Sequence, residues 1–334
     1  KIAKSKDFLV HYIEMETILI TWSSGFIWYH VSKKLLEQGK IVIGLDNEND
    51  YYDINLKHAR RQELEKFENF KFYKGNLEDL AFLKKLFEEN RIDKVLNLAA
   101  QAGVRYSIVN PYAYIQTNIV GFHNLIELSK QHHIKNFVYA SSASIYGANK
   151  KMPFTVGDQT DTPISLYGAT KKADELIAHS YSFYFKLPTV GLRFFNVYWP
   201  RGSPDGAFFI FAKGILEEKE IQVFNEGKTI RNFTYIDDIV DGVIKSLNYI
   251  PENHYEIFNL GNTNTVVLND MISYIEQECG KTGNKKYLPA DLADIPESWV
   301  DIDHTQKLLW REPKITIQEG VHHLIKRYRE YYKI

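Results

Sequence analysis

A single cysteine, Cys279, stands among 334 residues, so no internal disulfide can form, and no histidine or cysteine group has the spacing of a zinc site. That usage fits a reducing cytoplasm and points to no metal. No apolar stretch reaches the roughly 18 residues of a membrane span. Lysine and arginine (41) nearly cancel aspartate and glutamate (42), and no basic block is present to hold a nucleic-acid backbone. An anionic ligand must be gripped by a few local groups instead. With 44% hydrophobic and 25% charged residues, the chain suits one large α/β domain or a large domain with a smaller one appended.

The first stretch, KIAKSKDFLVHYIE (1–14), stands outside the pattern that follows. Its apolar run is short and broken by His11, unlike a secretory signal. It is expected to be an appendage: a frayed arm, a cloning remnant, or upstream sequence before a start at Met15.

From Met15 onward, short β-branched runs alternate with amphipathic helical patterns. TILIT (17–21), IVIGLD (41–46), FKFYKG, DKVLNLAA, KNFVYASS and TVGLRFF (189–195) read as strands, and helices are predicted near 26–38, 79–89, 112–132 and 166–186. This rhythm predicts an α/β fold: a Rossmann-like, doubly wound parallel sheet that takes its ligand beyond the carboxyl ends of the strands. After about residue 196 the rhythm breaks. The expected domains are 15–195 for the sheet, with a later segment near 232–262 returning to it, and 196–334 mainly for a smaller α+β substrate-binding lid.

Glycine is scarce at the first strand-to-helix turn, where TWSSGFIWYH (21–30) offers only Gly25. Asp46, at the end of the next strand, is placed to accept both hydroxyls of an adenosine ribose and to repel a 2′-phosphate, favouring NAD over NADP. The same pattern also describes a plain βαβ turn with a solvated aspartate. A second feature is SLYGATKKADEL, in which Tyr167 and Lys171 share one helix face. An ammonium beside a phenol favours its ionised form, and a tyrosinate is a general base for a sugar hydroxyl. Such pairs also occur on ordinary helices. The third is YASSASIYG, where Ser141 and Ser142 end the fifth strand; they either meet the reacting hydroxyl or cap the following turn. The three features fall in the chain order and on the sheet edge that a nicotinamide-dependent redox site requires.

With LDNENDYYDINLKHAR, NLAAQAGVRYS, KMPF, SLYGATKKADELIAHSYS and RNFTYIDDIVDG added, the sequence from Met15 onward resembles the extended short-chain dehydrogenase/reductase family of nucleotide-sugar enzymes, and within it the UDP-glucuronate 4-epimerases. The resemblance implies an isomerase with NAD as cofactor. It places Gly25, Phe26 and Ile27 along the pyrophosphate, Asp46 and Asn47 at the ribose, Asn76 and Leu77 near adenine, and Leu98, Ala99, Ala100 and Asn118 beside the cofactor. Ser142, Tyr167 and Lys171 match the catalytic trio, and Tyr167 and Lys171 also border the cofactor. Asn196 and Arg231 match positions that hold UDP. The implied reaction inverts C4 through a 4-keto sugar: Tyr167 takes the 4-hydroxyl proton while C4 gives a hydride to NAD, and the hydride returns on the other face. A homodimer through helices 112–130 and 166–186 and a role in surface polysaccharide synthesis are further implications; aromatic residues such as Tyr181 and Phe185 serve that seam or face the core.

The departures from that family are specific. Trp22, Trp28, Trp199 and Trp310, four of the five tryptophans, stand where it carries glycine. An indole in a close helix-strand contact overpacks it, so cofactor affinity is expected to suffer. Two accounts are open: UGA codons that some bacteria read as glycine, or a divergent paralogue that binds a UDP-sugar without catalysis. Asn76 and Asn232 replace aspartates. Asn196 and Ser203 stand where uronate epimerases carry a threonine and an arginine for the sugar carboxylate, leaving Arg105 or Arg201 as substitutes. UDP-glucose 4-epimerisation and nucleotide-sugar 4,6-dehydration are alternative activities, the latter disfavoured because SSASIYG offers no carboxylate beside the serine.

Overall fold

The computed structural model describes residues 15–50, 53–198, 206–290, 297–309 and 311–333; the proposed appendage and Trp199, Arg201, Ser203 and Trp310 lie outside them. The β-branched run Thr17–Thr21 forms β1, buried along its whole length, and is followed by α1 (Phe26–Glu37) and β2 (Ile41–Asp46). The pattern continues through α2 (Ile54–Leu64), β3 (Phe70–Lys74), α3 (Leu80–Glu89) and β4 (Lys94–Asn97). Next come α4 (Tyr106–Val109), α5 (Pro111–Tyr114), a π-helix (Ile115–Gly121), α6 (Phe122–Gln131) and β5 (Asn136–Ser142). Beyond them lie α7 (Leu166–Phe185), β6 (Thr189–Phe194) and β7 (Asn196–Tyr198).

The remaining elements are α8 (Ala207–Leu216), β8 (Glu220–Phe224), β9 (Ile230–Tyr235), α9 (Ile236–Asn248), β10 (Tyr255–Leu260), β11 (Thr265–Val267) and α10 (Leu268–Cys279). β12 (Asn284–Leu288), β13 (Glu297–Ser298), α11 (Asp303–Leu309) and α12 (Ile317–Tyr332) follow. Seven strands form one parallel sheet in the order β10-β6-β5-β4-β1-β2-β3. Alternate side chains of β1 feed two cores: Ile18 and Ile20 join α1 and α9 on one face, and Leu19 joins α3 and α6 on the other. The sheet is thus doubly wound, and the order reverses between β1 and β4, where the Rossmann pattern opens a ligand crevice.

After β6 the strands pair outside the large sheet, with one exception. β7, β9, β11 and β13 make a small mixed sheet, β8 and β12 a two-stranded one, and β10 returns to the large sheet beside β6. One predicted element differs. The span 112–132 is divided into α5, the π-helix and α6, because Asn118 bonds outward to the loop after β4 and Gly121 lies against Leu77, where a Cβ would come within 2.6 Å of the leucine Cβ. A π-turn adds the residue that lets both contacts form.

Candidate active site

The cofactor side begins at the turn after β1. Thr21 receives the backbone N–H groups of Leu98 and Ala99 at 3.0 and 2.9 Å and donates to Asn97 at 2.8 Å, tying the ends of β1 and β4 together. Thr21 was not singled out in the sequence, although a hydroxyl closing a buried strand is a legible signal. Trp22 follows with φ 62°, in the left-handed region. Gly25 donates to the Trp22 carbonyl at 2.7 Å, and a Cβ on it would stand 2.9 Å from that oxygen and 2.6 Å from Trp28 Cδ1. Only glycine fits at 25.

Helix α1 starts there without a side-chain cap and without an acidic residue in its first turn, so Phe26 and Ile27 lie in the electropositive first turn. The Ser23 and Ser24 hydroxyls are buried without partners nearby. Orphaned donors at a helix start fit a phosphate. Asp46 closes the far side, its two oxygens accepting from the Ser24 and Glu48 amides at 3.0 and 2.7 Å. Burial raises its carboxyl, while those amides and Lys57 pull it back. Each oxygen keeps a lone pair for a ribose hydroxyl.

Asp46, Asn47, Asn76, Leu77, Ala99 and Ala100 border one cleft, with Trp22 at its wall. Asn47 donates to Asn76 Oδ1 at 2.9 Å, so the amide expected to meet adenine already holds its neighbour. Leu98, expected to flank the cofactor, is itself buried, and its N–H is bonded to Thr21. Asn118 clamps the cleft rim: it accepts from the Gln101 amide at 2.7 Å and donates to Thr170 on α7 at 3.0 Å. The residues present therefore fit a dinucleotide, with Trp22 the one poor member.

The reacting side is built by pressing α7 onto the turn after β5. Ser165 caps α7 through the Gly168 amide at 3.0 Å, and a Cβ on Gly168 would stand 2.6 Å from the Ser144 carbonyl. That contact sets Tyr167 beside the serine turn. Tyr167 is half-buried, edge-on to Tyr114 with ring centroids 6.1 Å apart. Lys171, one turn on, is buried and lies 3.1 Å from Asp174.

The paired serines need one correction. Successive strand residues point to opposite faces, and Ser141 donates inward to Glu175 at 2.6 Å, so its hydroxyl is not at the substrate crevice. Glu175 is doubly paired with Arg193 at 2.9 and 3.0 Å, a buried ion pair that braces β6 against α7. Ser142 turns the other way, with Oγ accepting the Ser144 amide at 3.1 Å and donating to Ser144 Oγ at 3.2 Å. It caps the turn, and its remaining lone pair is free for a ligand.

On the other wall, Asn196 begins β7 and donates to the Asn232 carbonyl at 3.2 Å, while Arg231 lies on the adjacent β9 and donates to the Ile230 carbonyl at 2.9 Å. The two residues expected to hold UDP thus share one small sheet. Asn232 itself is fully buried, so the missing aspartate is not a solvent-facing ligand. Arg105 is exposed at the start of α4, and its guanidinium lies 5.7 Å from the Phe224 ring centroid, bridging the large sheet's loop to β8.

The comparisons agree with this geometry. Residues 18–261 match the NAD dependent epimerase/dehydratase family. The chain is 44% identical to the protein CapI of Staphylococcus aureus over 95% of its own length and 99% of that protein's. It is 45% identical to a UDP-glucuronate 4-epimerase of Thermodesulfobacterium geofontis, covering 91% and 93%. The structure resembles the UDP-glucuronic acid 4-epimerase of Bacillus cereus, solved with UDP-glucuronic acid and NAD, with a TM-score of 0.88, 32% identity and coverage of 95% and 100%. With a seven-stranded doubly wound sheet, a helix N-terminus and aspartate lining its crevice, and Tyr167 and Lys171 one helical turn apart, the chain belongs to the NAD dependent epimerase/dehydratase family.

Proposed function

We propose that the chain inverts C4 of a UDP-sugar with NAD as resident cofactor, and that its preferred pair is UDP-glucuronate and UDP-galacturonate. The observation that carries this is a cleft bordered by Asp46, Asn47, Asn76 and Ala99 beyond the strand ends, together with an α7 that carries Tyr167 and Lys171 one turn apart and presses Gly168 onto the turn after Ser142. The relatives, epimerases of UDP-glucuronate among them, support the reading.

Gly25, Phe26 and Ile27 hold the pyrophosphate, Asp46 and Asn47 the ribose, and Asn76 and Leu77 the adenine. NAD supplies the hydride acceptor that an alcohol carbon needs. Tyr167 removes and returns the proton of the 4-hydroxyl, Lys171 supplies the positive charge that favours its phenolate, and Ser142 orients the hydroxyl. Asn196 and Arg231 secure the UDP, which leaves the sugar free to turn over between proton transfers. Arg105, whose guanidinium lies against Phe224 of β8, is the arginine assigned to a C6 carboxylate.

The substrate assignment is tested by comparing kcat/KM for UDP-glucuronate and UDP-glucose. The uronate is expected to lead by at least about tenfold, and equal or reversed values would move the assignment to UDP-glucose 4-epimerisation. The small sheets and their helices, with the boundaries 15–195 and 196–334 and a return over about 232–262, serve as the substrate domain. Exposed Leu176, Phe183, Tyr184 and Phe185 on α7, with Ile115 and Val120 near α6, suit a homodimer seam in which Tyr181, bonded to Glu127 at 2.8 Å, is internal. Sedimentation as two chains rather than one of 39.0 kDa checks it. No described helix is long and apolar enough to cross a membrane, and the cytoplasm is the proposed compartment.

A further inference from the structure

Lys171, one turn from Tyr167 on α7, is hydrogen-bonded to Asp174. Its ammonium lies 3.1 Å from Asp174 Oδ2, with the two side chains 2% and 0% exposed. A pair at this spacing on a surface would carry little meaning, but a buried one must offset the desolvation of two ions. Asp174 offsets it poorly, because its other oxygen, Oδ1, is buried with no hydrogen-bond partner. The carboxyl is therefore held by Lys171 and by nothing else among the described hydrogen bonds.

The charged and titratable groups around it are few. Lys171 and Glu175 share its helix, and Tyr139 faces it from β5. Glu175 is matched by Arg193 from β6, and Tyr255 of β10 donates to the Glu175 carbonyl at 3.3 Å. Burial pushes the Asp174 carboxyl up to about 7, against the pull of Lys171 and with a small further push from Glu175.

We propose that Asp174 is a positioning residue that sets how much positive charge Lys171 presents to Tyr167, and so governs when the phenol can act as a base. The proposal rests on the reading of Tyr167 and Lys171 as the working pair. An ionised Asp174 cancels the ammonium's field, and a protonated one leaves that field to the phenolate. Tyr167 and Asp174 thus compete for one cation, and their ionisations are coupled through it. Because the carboxyl is raised, the competition begins as pH rises through about 7.

Asp174→Asn keeps the volume and an oxygen that accepts from the ammonium but removes the charge. Two readouts test it in the parent, Asp174→Asn and Asp174→Ser, the last guarding against a variant that fails to fold. The first is the tyrosinate absorbance of Tyr167 in the protein without added NAD, obtained by subtracting a Tyr167→Phe partner in each background. The second is the pH profile of kcat/KM. Both neutral variants are expected to gain tyrosinate absorbance relative to the parent at the same pH. Their kcat/KM should exceed the parent's by about threefold to tenfold near pH 7.5, and the profiles should converge below about pH 6, where the parent's Asp174 is itself neutral. Variants that melt lower yet titrate and turn over superimposably on the parent would overturn the proposal. Failure of the catalytic reading looks different: Tyr167→Phe would keep its activity, while the absorbance titration would still decide the coupling.

Discussion

Trp22→Gly is expected to tighten NAD binding by at least about tenfold, measured by calorimetry. Trp22 sits at φ 62°, where a bulky side chain costs roughly 1–2 kcal/mol and glycine almost nothing. Its backbone makes the turn that delivers Gly25 to the start of α1, and its side chain borders the cleft that Asp46 closes. Relieving the first cost and clearing the second both favour the bound dinucleotide.

Trp28 is a different case. It is 5% exposed and packs edge-on against Phe194, with ring centroids 5.8 Å apart, so Trp28→Gly alone removes core packing worth roughly 3–5 kcal/mol before the helix can settle closer to the sheet. Added to Trp22→Gly, it is expected to increase affinity further only if α1 moves inward. Unchanged NAD affinity in both variants would mean that the loop tolerates its tryptophans. The two accounts of these residues divide on a separate observation, the mass of the peptide containing position 22 from the native organism. Glycine there means a reassigned codon, and tryptophan a divergent loop.

Tyr167→Phe is expected to lower kcat by about 10²–10⁴-fold while NAD binding falls far less. The phenol is half-buried and carries an ionisable hydroxyl one turn from Lys171 on α7. Phenylalanine keeps the edge contact with Tyr114, so the helix and the Gly168 approach to Ser144 survive the change. A fall in NAD affinity as large as the fall in kcat would instead assign Tyr167 to cofactor binding.

The fold was legible where the side-chain pattern is local. TILIT, IVIGLD and KNFVYASS are β-branched or aromatic runs that can only be buried on both faces, and all became central parallel strands. The helix at 166–186 was legible from its amphipathic period and ends one residue earlier, where Lys186 turns left-handed. The π-helix was not legible, because it arises from Asn118 and Gly121 meeting residues far along the chain.

The site divides the same way. Gly25, Asp46 and the Tyr167–Lys171 pair follow from spacing on elements of known period. Ser141 differs because two adjacent strand hydroxyls look equivalent in a sequence, whereas a pleated strand sends one to Glu175 and one to the turn at Ser144. Asp174 escaped notice for a related reason: it reads as one more surface carboxylate until the packing of α7 buries it beside Lys171. The small sheets after residue 196 pair strands from distant segments, and no local pattern specifies those partners.

The most direct test of the central claim is the fate of deuterium placed at C4 of UDP-glucuronate, followed with the chain and with its Trp22→Gly variant. The hydrogen removed from C4 is returned to it within the closed site, so UDP-galacturonate is expected to form with the deuterium still at C4. Loss of the label to water, or a product other than the C4 epimer, would contradict the account.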